Sequence, residues 1–351
     1  MSRVYDLWEK LVGAVLDREE LRQLALRSSS SSSSSSSFSD YSSRFSFVYP
    51  VARPIELNEI IKATENFRPA MFIGKGSLCR AFRAWIDEHT LIASNPGSGM
   101  AVAVKTWRDF VKHQDWLKKI DYLVQLSHPN LVSFVGYCTE ENSMMLVFEF
   151  MPNGSLRDHL FTTRYASFSW ASRINVALDI ARGLSYLHER DIPIIHRDLK
   201  TANIFLDWEL NAKLSNYCYG TDDPTGETTC IRTRQVFAKP GYTAPEYTSK
   251  GHLTTKSNVY TFGVLLLELL SGTRASNLKL KRSYFIIKSK LLERYMDARL
   301  GGQYPRDAAY EVVKLALKCL NLDPKLRPRM GDVVVALEQF QGVEPMSRPA
   351  A

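Results

Sequence analysis

Long apolar runs are missing from this chain of 351 residues: no stretch approaches the ~18 uninterrupted apolar positions that span a bilayer. The opening MSRVYDLWEK also lacks the short apolar core of a secretory signal, so a cytoplasmic location is expected. Glycine is absent from position 2, where Ser2 follows Met1, which excludes N-myristoylation. Any membrane contact is therefore expected to be peripheral or indirect, through partners. Cysteine is sparse, and Cys79, Cys138, Cys218, Cys230 and Cys319 show no CxxC spacing, which argues for reduced thiols rather than a disulfide frame or a metal site. Despite a formal charge of +8, Lys and Arg are interspersed with acids instead of forming a basic block, so nucleic acid is not an expected partner.

What is present begins with an apolar stripe. Val4, Trp8, Leu11, Val12 and Val15 share one face of a helix expected within residues 1–27, with Ser2 able to cap it. Three fates are open to that stripe: packing on the main domain, docking another protein, or lying on a membrane surface. Residues 28–54 follow as a serine-rich linker, too poor in apolar side chains to offset the entropy of ordering.

From residue 55 the pattern is that of a folded domain reaching to 345, with 346–351 as a tail. A glycine turn at MFIGKGSLCRAFRAWI precedes alternating apolar segments at MAVAVKTW, LVSFVGYC and MMLVFEFM, with one helical stretch among them. After Met151 helical spacing takes over. SWASRINVALDIARGLSYLHER is amphipathic, and SNVYTFGVLLLELLSG is apolar almost all round, as a buried central helix would be. A small antiparallel sheet with one helix, followed by a larger helical part and separated from it by a cleft, is an α+β arrangement.

The motifs IGKGSLC, VAVK, HRDLKTAN, NYC, APE and SNVYTFG occur in that order, and together they resemble a protein kinase. The wording of QLSHPNLVSFVGYC, FMPNGSLRDHLF, GHLTTKSNVYTFGVLLLELLSG and LDPKLRPRM is similar to the plant receptor-like cytoplasmic kinases, in particular their subfamily VII. The resemblance implies a two-lobed kinase fold: an N-lobe over 55–148 with a sheet and helix C, and a helical C-lobe over 152–345.

Phosphoryl transfer asks little covalent chemistry of the protein; it needs clamped phosphates, placed magnesium ions and an oriented hydroxyl. By resemblance, Lys105 would hold the α and β phosphates, Asp198 would orient the substrate hydroxyl, Lys200 would neutralise the γ phosphate, and Asn203 would bind a metal. Ile73, Gly74, Gly76, Ala81, Ala103, Glu149 and Met151 would complete the nucleotide site, with Phe148 as gatekeeper. Glu246 and Arg327 match a pair that fastens the activation segment, and Arg197 matches a receiver for a phosphate on Thr233, a possible phosphosite.

Five positions depart from the family pattern. Asn216 replaces the metal-binding aspartate of Asp-Phe-Gly, leaving a degenerate metal position with a dipole in place of a charge. A charge-assisted contact is worth about 1.5–3 kcal/mol, and each ~1.36 kcal/mol of barrier is tenfold, so transfer is expected to slow by roughly ten- to more than hundredfold. Lys119 stands where helix C supplies a glutamate to Lys105, exchanging attraction for repulsion; Asp115, one turn earlier, is an alternative partner. Cys79 replaces the third glycine of the phosphate loop. Lys239, after Ala238, replaces a threonine of the peptide-binding turn and is expected to pair with Asp198. Asn258 replaces the buried aspartate that supports the HRD loop, and its amide is expected to accept the loop's N–H bonds more weakly.

These departures favour a receptor-like cytoplasmic pseudokinase that acts as a scaffold or regulator. Its expected partners are signalling proteins in plant receptor or immune signalling: a receptor kinase, an active cytoplasmic kinase or an immune receptor. ATP is the expected ligand, bound weakly and with little or no dependence on Mg²⁺. The alternative, supported by the intact Asp198, Lys200, Asn203 and Lys105, is a Ser/Thr kinase of low activity.

Overall fold

A computed structural model describes residues 52–76, 79–107, 113–140, 143–217, 231–232, 241–278 and 288–343. The amphipathic stretch 1–27, the serine tract up to residue 51, Cys218, Thr233, Ala238, Lys239 and the tail lie outside these residues, as does the side chain of Asp115. The chain divides into two units: residues 125–133 and those from Met151 onward form one, and the remainder up to Phe150 forms the other.

In the first unit the strands β1 (Arg53–Pro54), β2 (Phe72–Lys75), β3 (Cys79–Ile86), β4 (Met100–Trp107), β5 (Phe134–Cys138) and β6 (Met145–Glu149) make one sheet in the order β1-β5-β6-β4-β3-β2. All pairings are antiparallel except β1 with β5. Strand alternation sorts its two faces. On one, Val102 and Val104 of β4 join Ala84, Ile86, Val135 and Val147 in a core covered by Ile60 and Ala63 of α1 (Leu57–Ala63). On the other, Ala103 and Lys105 are registered opposite Phe148 and Leu146, and Trp107 follows on the same side of β4. Helix α2 (His113–Leu123) contributes Trp116, Ile120 and Leu123, all buried.

Strand β1 belongs to the stretch that the sequence assigned to the linker. It is fixed by Ile55 N–H donating to the Tyr137 carbonyl at 2.8 Å and by Leu57 N–H donating to the Glu140 carboxylate at 3.2 Å. Gly136 allows this parallel approach, because a Cβ there would sit 2.7 Å from the Arg53 carbonyl oxygen and 2.8 Å from Ile55 Cδ1.

The second unit is helical: α3 (Leu156–Phe161), α4 (Trp170–His188), α5 (Pro245–Lys250), α6 (Thr255–Ser271), α7 (Lys288–Tyr295), α8 (Arg306–Cys319) and α9 (Met330–Glu338), with the short pairs β7 (Ile204–Leu206)/β8 (Ala212–Leu214) and β9 (Ile231–Arg232)/β10 (His252–Leu253). Helix α6 is buried over almost its whole length, from Ser257 to Leu270, as the all-round apolar pattern predicts. It starts on a capping box between Thr254 and Ser257 and ends at Gly272, whose φ of 62° fits a glycine C-cap. One more polar anchor crosses the core: buried Arg173 of α4 donates to Asp297 at 2.7 Å and to the Leu269 carbonyl at 2.6 Å. The α+β, two-lobed fold of a protein kinase is thereby realised, with a sheet-based N-lobe and a larger helical C-lobe.

Adding one methyl group at the β1–β5 contact tests the strap. Gly136→Ala is expected to cost about 1–3 kcal/mol through forced displacement of Arg53 and Ile55. Urea unfolding followed by tryptophan fluorescence measures it; an unchanged midpoint would show that the strap contributes nothing.

Candidate active site

In the N-lobe the predicted nucleotide residues Ile73, Gly74 and Gly76 fall at the glycine turn and Ala81, Ala103 and Lys105 on one face of the sheet, whereas Glu149 is registered opposite Val102 of the other face. Ile73 is 44% exposed, so its side chain presents an apolar surface to an incoming ring. Gly74 has open space around its Cβ position, as a backbone approach to phosphate requires. Gly76 N–H donates to the Cys79 carbonyl at 2.8 Å, and the Cys79 Sγ lies 3.1 Å from where a Gly76 Cβ would sit. The thiol is thus turned onto its own hairpin. Ala81 is paired with Lys105 across β3 and β4, and Ala103 with Phe148 across β4 and β6. Glu149 ends β6, and Phe148, at the gatekeeper position, is buried.

The two lysines each meet an aromatic face. Lys105 Nζ lies 4.8 Å from the centroid of Phe148, while Lys119 Nζ lies 4.9 Å from Trp107 and 5.8 Å from Trp116. Each ammonium group thus meets the negative face of a ring.

In the C-lobe, Asp198 gathers the other predicted residues. Its Oδ2 accepts from Lys200 Nζ at 3.0 Å and from Asn203 Nδ2 at 2.8 Å, and Asn203 Nδ2 also donates to the Asp198 carbonyl at 2.6 Å. Asp198 and Lys200 remain about one quarter exposed, so the pair is accessible, and Asn203 is buried. Asn203 ends the 3₁₀ turn Thr201–Asn203, which returns the chain from the loop into β7. Met151, the last predicted nucleotide residue, is buried in this lobe.

Asn216 stands at φ 63°, a left-handed conformation that asparagine tolerates better than most residues. Its Nδ2 donates to Asn203 Oδ1 at 2.9 Å. The two candidate metal positions therefore satisfy one another, amide to amide. Lys105, the glycine turn and exposed Ile73 fit a nucleotide. The donor set fits a magnesium ion poorly: a hard cation prefers anionic oxygen, and here one amide oxygen is already accepting a hydrogen bond. Asp198 supplies the one carboxylate among Asp198, Asn203 and Asn216.

Asn258 does more than accept weakly. Its Oδ1 takes the His196 N–H at 2.8 Å and His188 Nε2–H at 3.1 Å, and its Nδ2 donates to the His196 carbonyl at 2.8 Å. An aspartate could not supply that last bond. His196 in turn donates Nε2–H to the Ser215 carbonyl at 2.9 Å and accepts the Asp198 N–H on Nδ1 at 3.3 Å, which assigns a neutral ring. Burial pushes both His188 and His196 down from 6.5 to about 4.

Sequence reasoning passed over Tyr242 and Glu268. The Tyr242 hydroxyl donates to Glu268 Oε2 at 2.5 Å and lies 3.3 Å from Thr201 Oγ1, while Ala275 N–H donates to Glu268 Oε1 at 2.7 Å. Burial raises the Glu268 carboxyl to about 7 and pushes the Tyr242 phenol up as well. The signal was available, since one acid interrupts the leucine run LLLELL of a buried helix. Glu246 and Arg327 form the anticipated pair, bidentate at 2.7 and 2.8 Å, with Ser257 Oγ donating to the same carboxylate.

A profile described as protein tyrosine and serine/threonine kinase matches residues 70–337. The chain belongs to that family. The kinase domain is 48% identical over 308 residues, 84% of this chain and 72% of the relative, to the probable serine/threonine-protein kinase PBL3 of Arabidopsis thaliana. It is 46% identical to receptor-like cytoplasmic kinase 176 of Oryza sativa subsp. japonica, over 81% of this chain and 75% of that protein. Against the serine/threonine-protein kinase BIK1 of Arabidopsis thaliana the identity is 45%, with 81% and 75% covered. No described helix is long and apolar enough to cross a membrane.

The buried histidines set an acid limit on the kinase domain. Unfolded imidazoles take up protons from about pH 6.5 downward while the folded rings stay neutral to about 4, so stability is expected to fall across that window. Urea midpoints measured from pH 7 to pH 4 should decline, and His188→Gln should flatten part of the slope. A profile for that variant parallel to the parent's would remove His188 from the cause.

Proposed function

We propose that this chain is a receptor-like cytoplasmic Ser/Thr protein kinase of low turnover, transferring the ATP γ-phosphate to hydroxyls of a signalling protein. The observation that carries the reading is the carboxylate of Asp198, accessible and held by Lys200 and Asn203 of its own loop. That arrangement supports a residue positioned to orient a hydroxyl, with a cation beside it to meet the transferred group. The relatives' names favour a working kinase over the pseudokinase expected from the five departures. ATP is held through the apolar face of Ile73 and Ala103 and through Lys105, and the metal contributes little because Asn216 offers only a dipole. A receptor kinase, another cytoplasmic kinase or an immune receptor is the proposed class of partner.

One observation favours the second reading, a pseudokinase scaffold: the hydrogen bond from Asn216 Nδ2 engages Asn203 Oδ1, the amide oxygen through which Asn203 would hold an ion. Radiolabelled ATP with Mg²⁺ or Mn²⁺ separates the two. Slow incorporation by the parent protein is expected, lost in Asp198→Ala and raised tenfold or more in Asn216→Asp, since a restored carboxylate regains a charge-assisted contact. If neither the parent nor Asn216→Asp incorporates phosphate, the scaffold takes its place.

A further inference from the structure

Helix α2 lacks the glutamate that would tie it to Lys105, and its own lysine points to what ties it instead. Trp116 and Lys119 are three residues apart on α2 and so share a face. Trp107 and Lys105 are two apart on β4 and share a face of the sheet. Trp107 and Trp116 meet edge to face, with centroids 5.3 Å apart and planes at 69°. Trp116 is fully buried, whereas Trp107 is half-buried. Lys119 Nζ lies over both rings, at 4.9 and 5.8 Å.

We infer that Lys119, held in a clamp of two indoles, is a positioning residue that seats helix α2 on β4. The physical reason is that a cation over two aromatic faces, one on the strand and one on its own helix, ties the two elements together. Held on Trp107, Lys119 lies on the neighbouring same-face position of the strand that carries Lys105, whose ammonium rests on Phe148. Helix α2 is then fixed through position 107, and Lys105 keeps its place for phosphate. The seating of the helix stands on geometry alone; its consequence for nucleotide rests on the function proposed above.

Full-length protein carrying Lys119→Met, Trp107→Leu or both would be titrated with ADP by calorimetry, without added metal, and unfolded in urea. Each single change is expected to weaken ADP binding about three- to tenfold, the range of a partly desolvated cation–π contact. The double variant should bind no more weakly than the weaker single, because both remove one contact. Lys119→Arg and Trp107→Phe, which retain a cation and a ring face, should stay within about twofold of the parent. Losses that multiply in the double variant, or a Lys119→Met that binds as the parent does, overturn the clamp. If the parent gives no ADP isotherm, the proposed function fails, and the same cycle read from urea midpoints decides the clamp: coupled losses support it and additive losses overturn it.

Discussion

The carboxylate of Asp198 is the point on which the geometry of the candidate site in the C-lobe depends. An isolated buried anion is costly, and an exposed one is poorly directed; Asp198 avoids both by accepting from Lys200 and Asn203 while staying partly open. Its loop is braced from below. Asn258 holds both the N–H and the carbonyl of His196, and His196 holds the Asp198 N–H and the Ser215 carbonyl, so the same neutral ring links the loop of Asp198 to the segment after β8 that leads to Asn216. A charged ring could not accept from Asp198 N–H, which is why burial at His196 matters for orientation as well as for stability.

Most of the fold was legible because it rests on periodicity and ordered motifs. The glycine turn, the alternating strands, the helix through Arg173 and the buried helix through Phe262 could be read from spacing alone. Strand β1 could not. Arg53 and Pro54 have no strand pattern of their own, and they join the sheet only because Gly136, far along the chain, leaves room for a parallel neighbour. Tertiary context of that kind is invisible to a local pattern.

For the candidate site, residues could be named from sequence and their hydrogen-bond partners could not. Asp198, Lys200 and Asn203 could be named from HRDLKTAN because they belong to one contiguous loop. The consequence of Asn258 was underestimated, because an amide was counted only as a weaker acceptor, and its second function as a donor appears only when a carbonyl faces it. Tyr242 and Glu268 were passed over because their link runs between a turn and a helix 26 residues apart, although a lone acid in a leucine run already demanded a partner.

Lys119 shows why a charge reversal read from sequence does not by itself set an energy. Position-by-position comparison treats Lys105 and Lys119 as two cations in one field, and in a uniform medium that would be repulsive. The sheet face is not uniform. It offers Phe148 to one lysine and Trp107 to the other, and α2 adds Trp116, so each charge meets the negative face of a ring. At Asn216 the amide turns its N–H₂ to Asn203, a dipole where the family pattern has a charge. The two departures that look alike on paper thus differ in kind. One is absorbed by aromatic surface, and the other changes what the position can hold.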